Sequence, residues 1–394
     1  MPGTCIAHVK QSYLPFSETF VYQIVKAPFA DRSVVICQDT QNLDVFPFSD
    51  LITFPYPNSL IAKVLTGLRR ATKVDPHASS MTAPYREKLK AVGATVVFAH
   101  SGPAGVRVMG ACKELNIPLI VQFWGFDFAI RSIVEEFSRQ YSELFKIAGA
   151  VVCGSEFAKG RIMGLGCPSD KLHVIKWPVD CTSIEYKERL PKACGDAVSF
   201  VGVGRIVEKK GMPYAIEAMK TVSKQVPNCK FTQVGGGDDL EKFREIVVRE
   251  GLSEHVTLMG AQPHSVAKQV LGAGDILIMP SVTATTGDVE SQGIALQEGQ
   301  AAGLPVIATI HNGFPEGMID GETGFLVPER DAEALAERMI FLATNQALWA
   351  DMGRKGRAFV EANYQPAHQV KQFQELISQV AQKRLMRTVP PTGR

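Results

Sequence analysis

The sequence lacks long apolar runs, paired cysteine motifs and an appreciable net charge. No apolar stretch reaches the roughly 18 residues that a transmembrane helix requires. The 8 cysteines are scattered, without a Cys-x-x-Cys pair or a His/Cys spacing of zinc ligands, so we expect reduced thiols, a cytoplasmic location and no metal site. A net charge of +2 gives no global reason to expect nucleic-acid binding. The opening residues also lack a basic stretch followed by an apolar one, so we expect no signal peptide.

The composition that remains is that of a globular protein with ample core. Hydrophobic residues make up 45% and charged residues 21% of 394, a length that favours two or more domains. Short apolar runs such as SVVICQ and DILIMPS alternate with helical patterns in both halves, as in parallel sheets covered by helices on both faces. The polar segment 178–196 separates the halves. We predict an α/β protein of two doubly wound, Rossmann-like domains facing a central cleft, with ligands beyond the carboxyl ends of the strands.

Two glutamates, Glu290 and Glu298, lie eight positions apart in GDVESQGIALQEGQAAGLPVIAT. The strand patterns on either side of this stretch predict a helix between the two strands. Gly303 is expected at the C′ position of that helix, and Pro305 prevents its continuation. Glu290 is then expected in the loop before the helix and Glu298 about two turns inside it, roughly 12 Å away along the axis. The helix N-terminus between them offers N–H groups to a phosphate, so the segment could hold a whole nucleotide sugar. The alternative is a pair of ordinary surface carboxylates.

Two cations stand five positions apart in the upstream stretch SFVGVGRIVEKKGMPYAIEAM, which reads as strand, glycine turn and helix. Arg205 can grip a phosphate with its planar fork, and Lys210 supplies a point charge, so together they can neutralise a diphosphate. A basic solvated loop is the alternative. A dinucleotide-binding fingerprint is rejected, because Val207 stands where its third glycine should be.

Two further turns follow strand patterns in FTQVGGGDD and HVTLMGAQPHSVAKQV. Gly236 lies in the first and Ala261 in the second. Glycines at the carboxyl end of a strand let a ligand approach the backbone closely, although ordinary turn formation also explains them.

The GR-x4-KG and E-x7-E patterns, with their flanks, resemble the donor site of retaining glycosyltransferases of family four, which have the GT-B architecture. The similarity is greatest to transferases of capsule and exopolysaccharide biosynthesis, including the colanic-acid type. It implies that Arg205 and Lys210 stabilise the leaving diphosphate, that Glu298 binds the ribose, and that Glu290 holds sugar hydroxyls. The other donor-binding residues that the resemblance implies are Ser291, Gln292, Gly293, Gly204, Gly236 and Ala261.

The N-terminal half resembles the acceptor domain of the same family. Its opening, SYLPFSETFVYQIVKA, matches an S-E-T-F pattern at Ser17, Glu18 and Thr19. Ser17 would also serve as a helix N-cap in any protein.

A second acceptor-side turn is QFWGFD. Asp127 matches the family's W-G-x-D or H-G-x-D turn, and Trp124 replaces a histidine that many members carry. Trp124 is expected either to stack on a sugar or to fill the core. His100, in VVFAHSG, is expected to be the only strand-end histidine near the cleft, where it either positions the reacting sugar or serves the structure.

The segment 59–90 is the most basic part of the chain, with seven Lys and Arg against two acidic residues. LIAKVLTGLRRATK places an apolar stripe beside cations, as an interfacial helix does. We expect either a peripheral contact with the inner face of a membrane or a solvated loop or helix.

The resemblance implies that residues 1–180 bind the acceptor and 197–370 the nucleotide-sugar donor, while 371–394 form a returning helix and a disordered tail. The implied activity is a retaining hexosyltransferase without metal or cofactor. It would move a sugar from a nucleotide-diphosphate sugar to a hydroxyl of a glycan or lipid-linked glycan in surface polysaccharide biosynthesis. Two alternatives stay open: a non-catalytic subunit that binds nucleotide sugar, and a GT-B nucleotide-sugar 2-epimerase, whose acid/base carboxylates are not seen in the N-terminal half.

Overall fold

The structure, a computed structural model, describes residues 3–15, 18–27, 30–54 and 81–388. The chain divides into two compact units. Met1–Ile175 and Ala367–Arg394 form the first, and Lys176–Pro366 forms the second. The segment 178–196 therefore belongs to the second unit, where Val179 N donates a hydrogen bond of 2.8 Å to Tyr364 O.

The first unit is organised around a seven-stranded parallel sheet. Its strands are β1 (Cys5–Val9), β2 (Ser12–Tyr13), β3 (Arg32–Cys37), β4 (Asp39–Thr40), β5 (Leu51–Thr53), β6 (Val96–Ala99), β7 (Leu119–Gln122), β8 (Ala150–Cys153) and β9 (Leu172–Val174). The sheet order is β5-β3-β1-β6-β7-β8-β9, and β2 pairs with β4 separately. Within the sheet, Ala7 faces Val34 of β3, and His8 faces Phe98 of β6.

Helices connect these strands and pack by their apolar stripes. They are α1 (Thr19–Lys26), α2 (Thr82–Val92), α3 (Gly102–Glu114), α4 (Phe126–Ala129), α5 (Arg131–Ile147), α6 (Glu156–Gly164) and α13 (Pro366–Thr388). In α5 the buried side chains of Phe137, Tyr141, Leu144 and Phe145 recur every three or four residues, which is the spacing of one helix face.

The final helix α13 belongs to the first unit. The rings of Phe98 in β6 and Phe373 in α13 meet edge-on, with centroids 5.6 Å apart. A Cβ atom placed on Gly149 would lie 2.7 Å from the Val380 side chain, so the backbone before β8 approaches α13 closely. The chain therefore completes its first unit with its last helix.

The second unit contains a six-stranded parallel sheet. Its strands are β10 (Val198–Val203), β11 (Cys229–Val234), β12 (Val256–Leu258), β13 (Ile276–Met279), β14 (Val306–Thr309) and β15 (Gly324–Val327). Its helices are α7 (Met212–Gln225), α8 (Leu240–Arg249), α9 (His264–Ala273), α10 (Ile294–Ala301), α11 (Ala332–Thr344) and α12 (Trp349–Tyr364). The sheet order is β12-β11-β10-β13-β14-β15.

Both faces of this second sheet are buried. Phe200 of β10 lies in a core cluster with Phe231 and Trp349, while the next residue, Val201, lies in a different cluster with Leu277. Successive side chains of a strand point to opposite faces, so burial on both faces requires the continuous apolar run that the sequence shows.

The α/β class with two Rossmann-like parallel sheets is confirmed. SVVICQ and DILIMPS coincide with β3 and β13. The short strands β2, β4, β5 and β9, each of two or three residues, were not predicted. In the part of the chain that the structure describes, no helix is both long enough and apolar enough to span a membrane.

The basic segment 59–90 is only partly described. Residues 59–80 lie outside the described residues, and so does the predicted tail TVPPTGR except for Thr388, which ends α13. The remaining part begins α2, where Arg86 forms an ion pair of 2.8 Å with Glu114. The membrane contact stays a prediction.

We predict that Phe373→Ala destabilises the first unit by about 3–5 kcal/mol, because the 1% exposed ring leaves a cavity against Phe98. Urea unfolding measures the change. Gln372→Ala, at a neighbouring exposed position of α13, is the matched control and should stay within about 0.5 kcal/mol of the unchanged protein. Equal stability of the two variants would contradict the packing of α13.

Candidate active site

The strand ends of the second unit bring together the loops that carry the predicted donor residues. Because β10, β13 and β14 are parallel neighbours, the loops that follow them leave the same edge of the sheet. Arg205 and Lys210 follow β10, and Glu290 follows β13. Sequence positions about 80 residues apart therefore meet at one edge.

The loop after β10 places Arg205 and Lys210 differently. Arg205 is exposed, and among the described residues its side chain forms no hydrogen bond or ion pair. Lys210 ends a 3₁₀ turn, Glu208–Lys210, and its ammonium lies beside Gly204. Gly211 then has φ +67°, and a Cβ atom there would lie 1.7 Å from Pro280 O. Only glycine fits, which explains the Lys-Gly pair in the motif.

Glu290 is the anionic centre of this site. Its carboxylate forms ion pairs with Lys210 at 3.1 Å and Lys209 at 3.4 Å, and Lys209 also binds Asp288 at 3.1 Å. Burial by itself raises the pKa of Glu290, but the charges of Lys210 and Lys209 outweigh it and lower that pKa to about 2. Glu290 is therefore ionised at neutral pH and can only accept hydrogen bonds. Lys209 and Asp288 were not predicted as site residues.

The backbone of Glu290 is held by the loop after β14. Glu290 N donates to His311 Nε2 at 3.0 Å, and Asn312 Nδ2 donates to Glu290 O at 3.1 Å. Neither residue was singled out in the sequence. The only signal was their position, since His311 and Asn312 follow the strand pattern VIAT after a single intervening residue.

Glu298 lies nearer to the start of its helix than expected. Since α10 begins at Ile294, Glu298 is its fifth residue, just over one turn inside rather than two. The prediction was wrong because the residues after Glu290 are not helical. Glu298 Oε1 lies 3.2 Å from Nε2 of His264, at the start of α9, another residue that was not predicted.

The three residues before α10 have distinct surroundings. Gln292 is buried and binds the backbone of Trp177, accepting from its N at 2.6 Å and donating to its O at 3.1 Å. Ser291 is also buried, and its hydroxyl has no partner within the described part of the chain. Gly293 has φ +77°, and a Cβ atom there would meet the Phe314 ring at 2.3 Å.

The two glycine turns also converge. A Cβ atom on Gly236 would lie 3.0 Å from the Ala261 Cβ, and Gly236 O accepts from Ile206 N at 2.8 Å. Gln233 Nε2 donates to Gly204 O at 2.8 Å. The structure thus brings Gly204, Gly236 and Ala261 to neighbouring turns at the strand ends.

In the first unit, Asp127 is turned inward. It is fully buried, and its carboxylate accepts hydrogen bonds from the backbone N–H groups of Gly102, Trp124 and Gly125 at 2.9–3.1 Å. Burial raises the pKa of Asp127 to about 6, although these hydrogen bonds oppose the rise. In this arrangement Asp127 organises the turn and exposes no carboxylate oxygen to a ligand.

Trp124 lies under a buried cation that was not predicted. The Lys10 ammonium is 4.6 Å from the Trp124 ring centroid and forms an ion pair with Glu18. The Phe20 ring meets Trp124 edge-on, with centroids 5.2 Å apart. Helix α1 begins at Thr19 with Glu18 as its N-cap residue. Ser17 and the side chain of Thr19 lie outside the described residues.

His100 has a histidine neighbour, so it is not the only strand-end histidine. His100 Nε2 lies 3.0 Å from His8 Nδ1, and His100 Nδ1 lies 2.9 Å from Gln122 Oε1. His8, near the end of β1, was missed because a histidine inside an apolar run looks like core. Burial lowers the pKa of His8 to about 3 and that of His100 well below its ordinary value.

With this geometry established, comparisons with known proteins identify the family. Residues 186–359 match the model of glycosyl transferases group 1, and residues 49–183 match that of Glycosyltransferase Family 4. The amylovoran biosynthesis glycosyltransferase AmsK of Erwinia amylovora is 30% identical over 295 residues, covering 74% of this chain and 72% of AmsK. The chain belongs to glycosyltransferase family 4.

Two further proteins are similar to this chain. The putative colanic acid biosynthesis glycosyltransferase WcaL of Salmonella typhimurium is 34% identical over 249 residues. That match covers 62% of this chain and 61% of WcaL, less than two thirds of its length. The crystal structure of Anabaena HepE with UDP-glucose superposes with a TM-score of 0.77 at 18% identity, covering 95% of this chain and 99% of HepE. The predicted family and the GT-B fold are confirmed.

We predict that the buried histidine pair makes the protein acid-sensitive. The pKa values of His8 and His100 are lowered on folding, so the unfolded chain binds protons first as pH falls. Their contribution is complete above the unfolded pKa of about 6.5, and below it stability falls by about 1.4 kcal/mol per pH unit for each histidine. Urea unfolding between pH 7.5 and 5.5 measures this slope.

The variant for this test is His100→Gln, and exposed His368→Gln is the control. His100→Gln should reduce the dependence of stability on pH by about 1.4 kcal/mol per pH unit, the contribution of one proton, whereas the control should keep the original slope. A slope unchanged in His100→Gln would show that this histidine does not titrate in the window.

Proposed function

We propose that this protein transfers a sugar from a nucleotide-diphosphate sugar to a hydroxyl of a glycan or lipid-linked glycan in exopolysaccharide biosynthesis. The observation that carries the proposal is the Lys210–Glu290 pair of 3.1 Å at a strand edge of the second unit, where exposed Arg205 lies in the same loop as Lys210. The names of AmsK and WcaL support a role in polysaccharide assembly, and the complex of HepE with UDP-glucose supports a nucleotide-sugar donor.

The proposed reaction retains the anomeric configuration. The bond between the sugar C1 and the diphosphate oxygen breaks, the acceptor oxygen bonds to C1 on the same face, and a donor phosphate oxygen takes the acceptor proton. Arg205 and Lys210 would stabilise the negative charge that develops on the diphosphate. Two cationic side chains can supply this charge without a metal ion, so we propose that the reaction is metal-independent.

Donor binding would make Lys210 and Glu290 exchange partners. Without a donor, Glu290 neutralises the ammonium of Lys210. A diphosphate would compete for Lys210, and the released carboxylate would then accept hydrogen bonds from sugar hydroxyls. Glu298, at the other end of the segment, would bind the ribose hydroxyls with the oxygen that His264 leaves available.

Two other functions use the same donor site. A non-catalytic nucleotide-sugar subunit is favoured by one observation, Trp124 in place of the frequent family histidine and covered by Lys10. A nucleotide-sugar 2-epimerase needs acid/base carboxylates beside the donor. Incubation of the purified protein with donor and an acceptor glycan separates the three. The transferase gives nucleoside diphosphate and a glycosylated acceptor. The epimerase gives the epimeric donor, or glycal together with nucleoside diphosphate, and leaves the acceptor unchanged, whereas the subunit leaves both donor and acceptor intact.

We predict that one nucleoside diphosphate raises the melting temperature of the protein in EDTA. A ligand at about 100 times its Kd adds about 2.7 kcal/mol, which corresponds to several degrees. The screen compares UDP, GDP, ADP and dTDP, with CMP as a monophosphate control. Arg205→Ala should lose the shift, because it removes a cation assigned to the diphosphate. The substitution should leave the fold intact, since this exposed side chain forms no hydrogen bond or ion pair among the described residues. No shift with any diphosphate, or an equal shift in Arg205→Ala, would contradict the donor site.

We predict that Glu290→Gln binds free nucleoside diphosphate more tightly while transferring sugar more slowly. Removing the carboxylate frees the charge of Lys210, which should lower the Kd for the diphosphate by about 3- to 10-fold. Asp288→Asn is the matched control, because it removes a partner of Lys209 but leaves the Lys210–Glu290 pair. Calorimetric titration measures both variants. Weaker diphosphate binding by Glu290→Gln would contradict the exchange of partners.

A further inference from the structure

A chain of hydrogen bonds, called the relay below, runs from Thr283 through the side chains of Glu329 and His311 to the backbone N–H of Glu290. His311 is fully buried, and its Nε2 accepts from Glu290 N at 3.0 Å. Asn312 Nδ2, which lies 2.9 Å from the same nitrogen, is a second donor to it. An imidazole nitrogen that accepts carries no proton, so the proton of the neutral ring must be on Nδ1. That nitrogen lies 2.5 Å from Glu329 Oε1, a carboxylate that can only accept.

The other end of the relay is anchored by the loops after β15 and β13. Glu329, just after β15, accepts from Thr283 N at 2.8 Å and pairs with Arg330 at 3.2 Å. Thr283 lies in the loop after β13, the same loop that carries Glu290. The relay therefore joins the loops after β13, β14 and β15, and both of its ends are on the loop after β13.

We propose that His311 is a positioning residue, which as a neutral imidazole fixes the peptide of Glu290 and takes its tautomer from Glu329. Resting on the proposed function, this assigns to His311 and Glu329 the orientation of the carboxylate that exchanges between Lys210 and the donor sugar. Neither side chain needs to touch the substrate.

Only the neutral ring can perform this role. A protonated ring would direct an N–H group at the N–H of Glu290, and the hydrogen bond would be lost. Burial lowers the pKa of His311, with Glu329 and Glu290 opposing the shift and Lys210 adding to it, so the ring is neutral at pH 7. A second hydrogen bond holds the backbone on the carbonyl side of Glu290, where Asn312 Nδ2 donates to Glu290 O.

The backbone after β14 adopts an uncommon conformation at Asn312, which fits the contacts of this residue with Glu290. Asn312 has φ +47°, a left-handed conformation that asparagine tolerates better than most residues, and this turns its amide towards Glu290. The Phe314 ring packs edge-on against His311, with centroids 5.6 Å apart, and holds the imidazole plane. Orientation is thus set by packing as well as by hydrogen bonds.

The test compares His311→Gln with His311→Leu in the full chain. The Gln oxygen can accept from Glu290 N where Nε2 does, whereas Leu has similar size and accepts nothing. Hydrogen–deuterium exchange of the Glu290 amide is measured first, because it needs no activity. His311→Leu should raise that exchange rate about 10-fold, the equivalent of one lost hydrogen bond, and His311→Gln should restore most of the protection.

Steady-state kinetics with the nucleotide sugar supply the functional readout. His311→Leu should raise the donor KM about 10-fold with a smaller change in kcat, and His311→Gln should lie within about 3-fold of the unchanged protein. Glu329→Gln is a second variant for the case that His311→Leu does not fold, and it should raise exchange at Glu290 about 3-fold by loosening the tautomer.

The outcomes separate this proposal from the proposed function. Glu290 exchange that is unchanged in both His311→Leu and Glu329→Gln overturns the positioning role, whatever the activity. Equal loss of protection in His311→Gln and His311→Leu also overturns it, because the role would then be general packing. An unchanged protein that neither binds nor turns over nucleotide sugar contradicts the proposed function, while the exchange measurements still decide whether His311 holds the peptide.

Discussion

Burial of each sheet on both faces is the constraint on which the rest of this structure depends. A strand that is covered on both sides takes mostly apolar side chains, so most charged groups lie outside the strands. In the second unit, Lys210 follows β10, Glu290 follows β13 and His311 follows β14. The parallel arrangement places these ends side by side, so charged side chains from different loops meet there in one cluster.

The same constraint explains how much could be predicted from the sequence. Continuous apolar runs identified the main strands, and the glycines and prolines between them identified the turns. Lys210 and Glu290 could be recognised because each lies in a motif of its own loop. The partners Lys209 and His311 could not, since their contacts depend on which strands are neighbours, and the order of β10, β13 and β14 is not written in any local pattern.

The first unit shows a second limit of sequence patterns. Asp127 and His100 both follow strands, where ligand-binding residues are common, yet both side chains point into the protein. Asp127 satisfies three backbone N–H groups, and His100 joins His8 and Gln122. A polar residue at a strand end can bind a ligand or the chain's own backbone, and its residue type does not distinguish these two roles. Burial decides between them, and burial is a property of the fold.

The division of the chain has a consequence for the order in which the protein is made. The second unit is one uninterrupted stretch, Lys176–Pro366, whereas the first is assembled from both ends of the chain. During synthesis, the second unit has all its residues before the first does, because Phe373 and Val380 emerge after Pro366. Until then, Phe98 and Gly149 lack the contacts that Phe373 and Val380 make with them. The first unit therefore cannot be complete until residues 176–366, which belong to the second unit, have been translated.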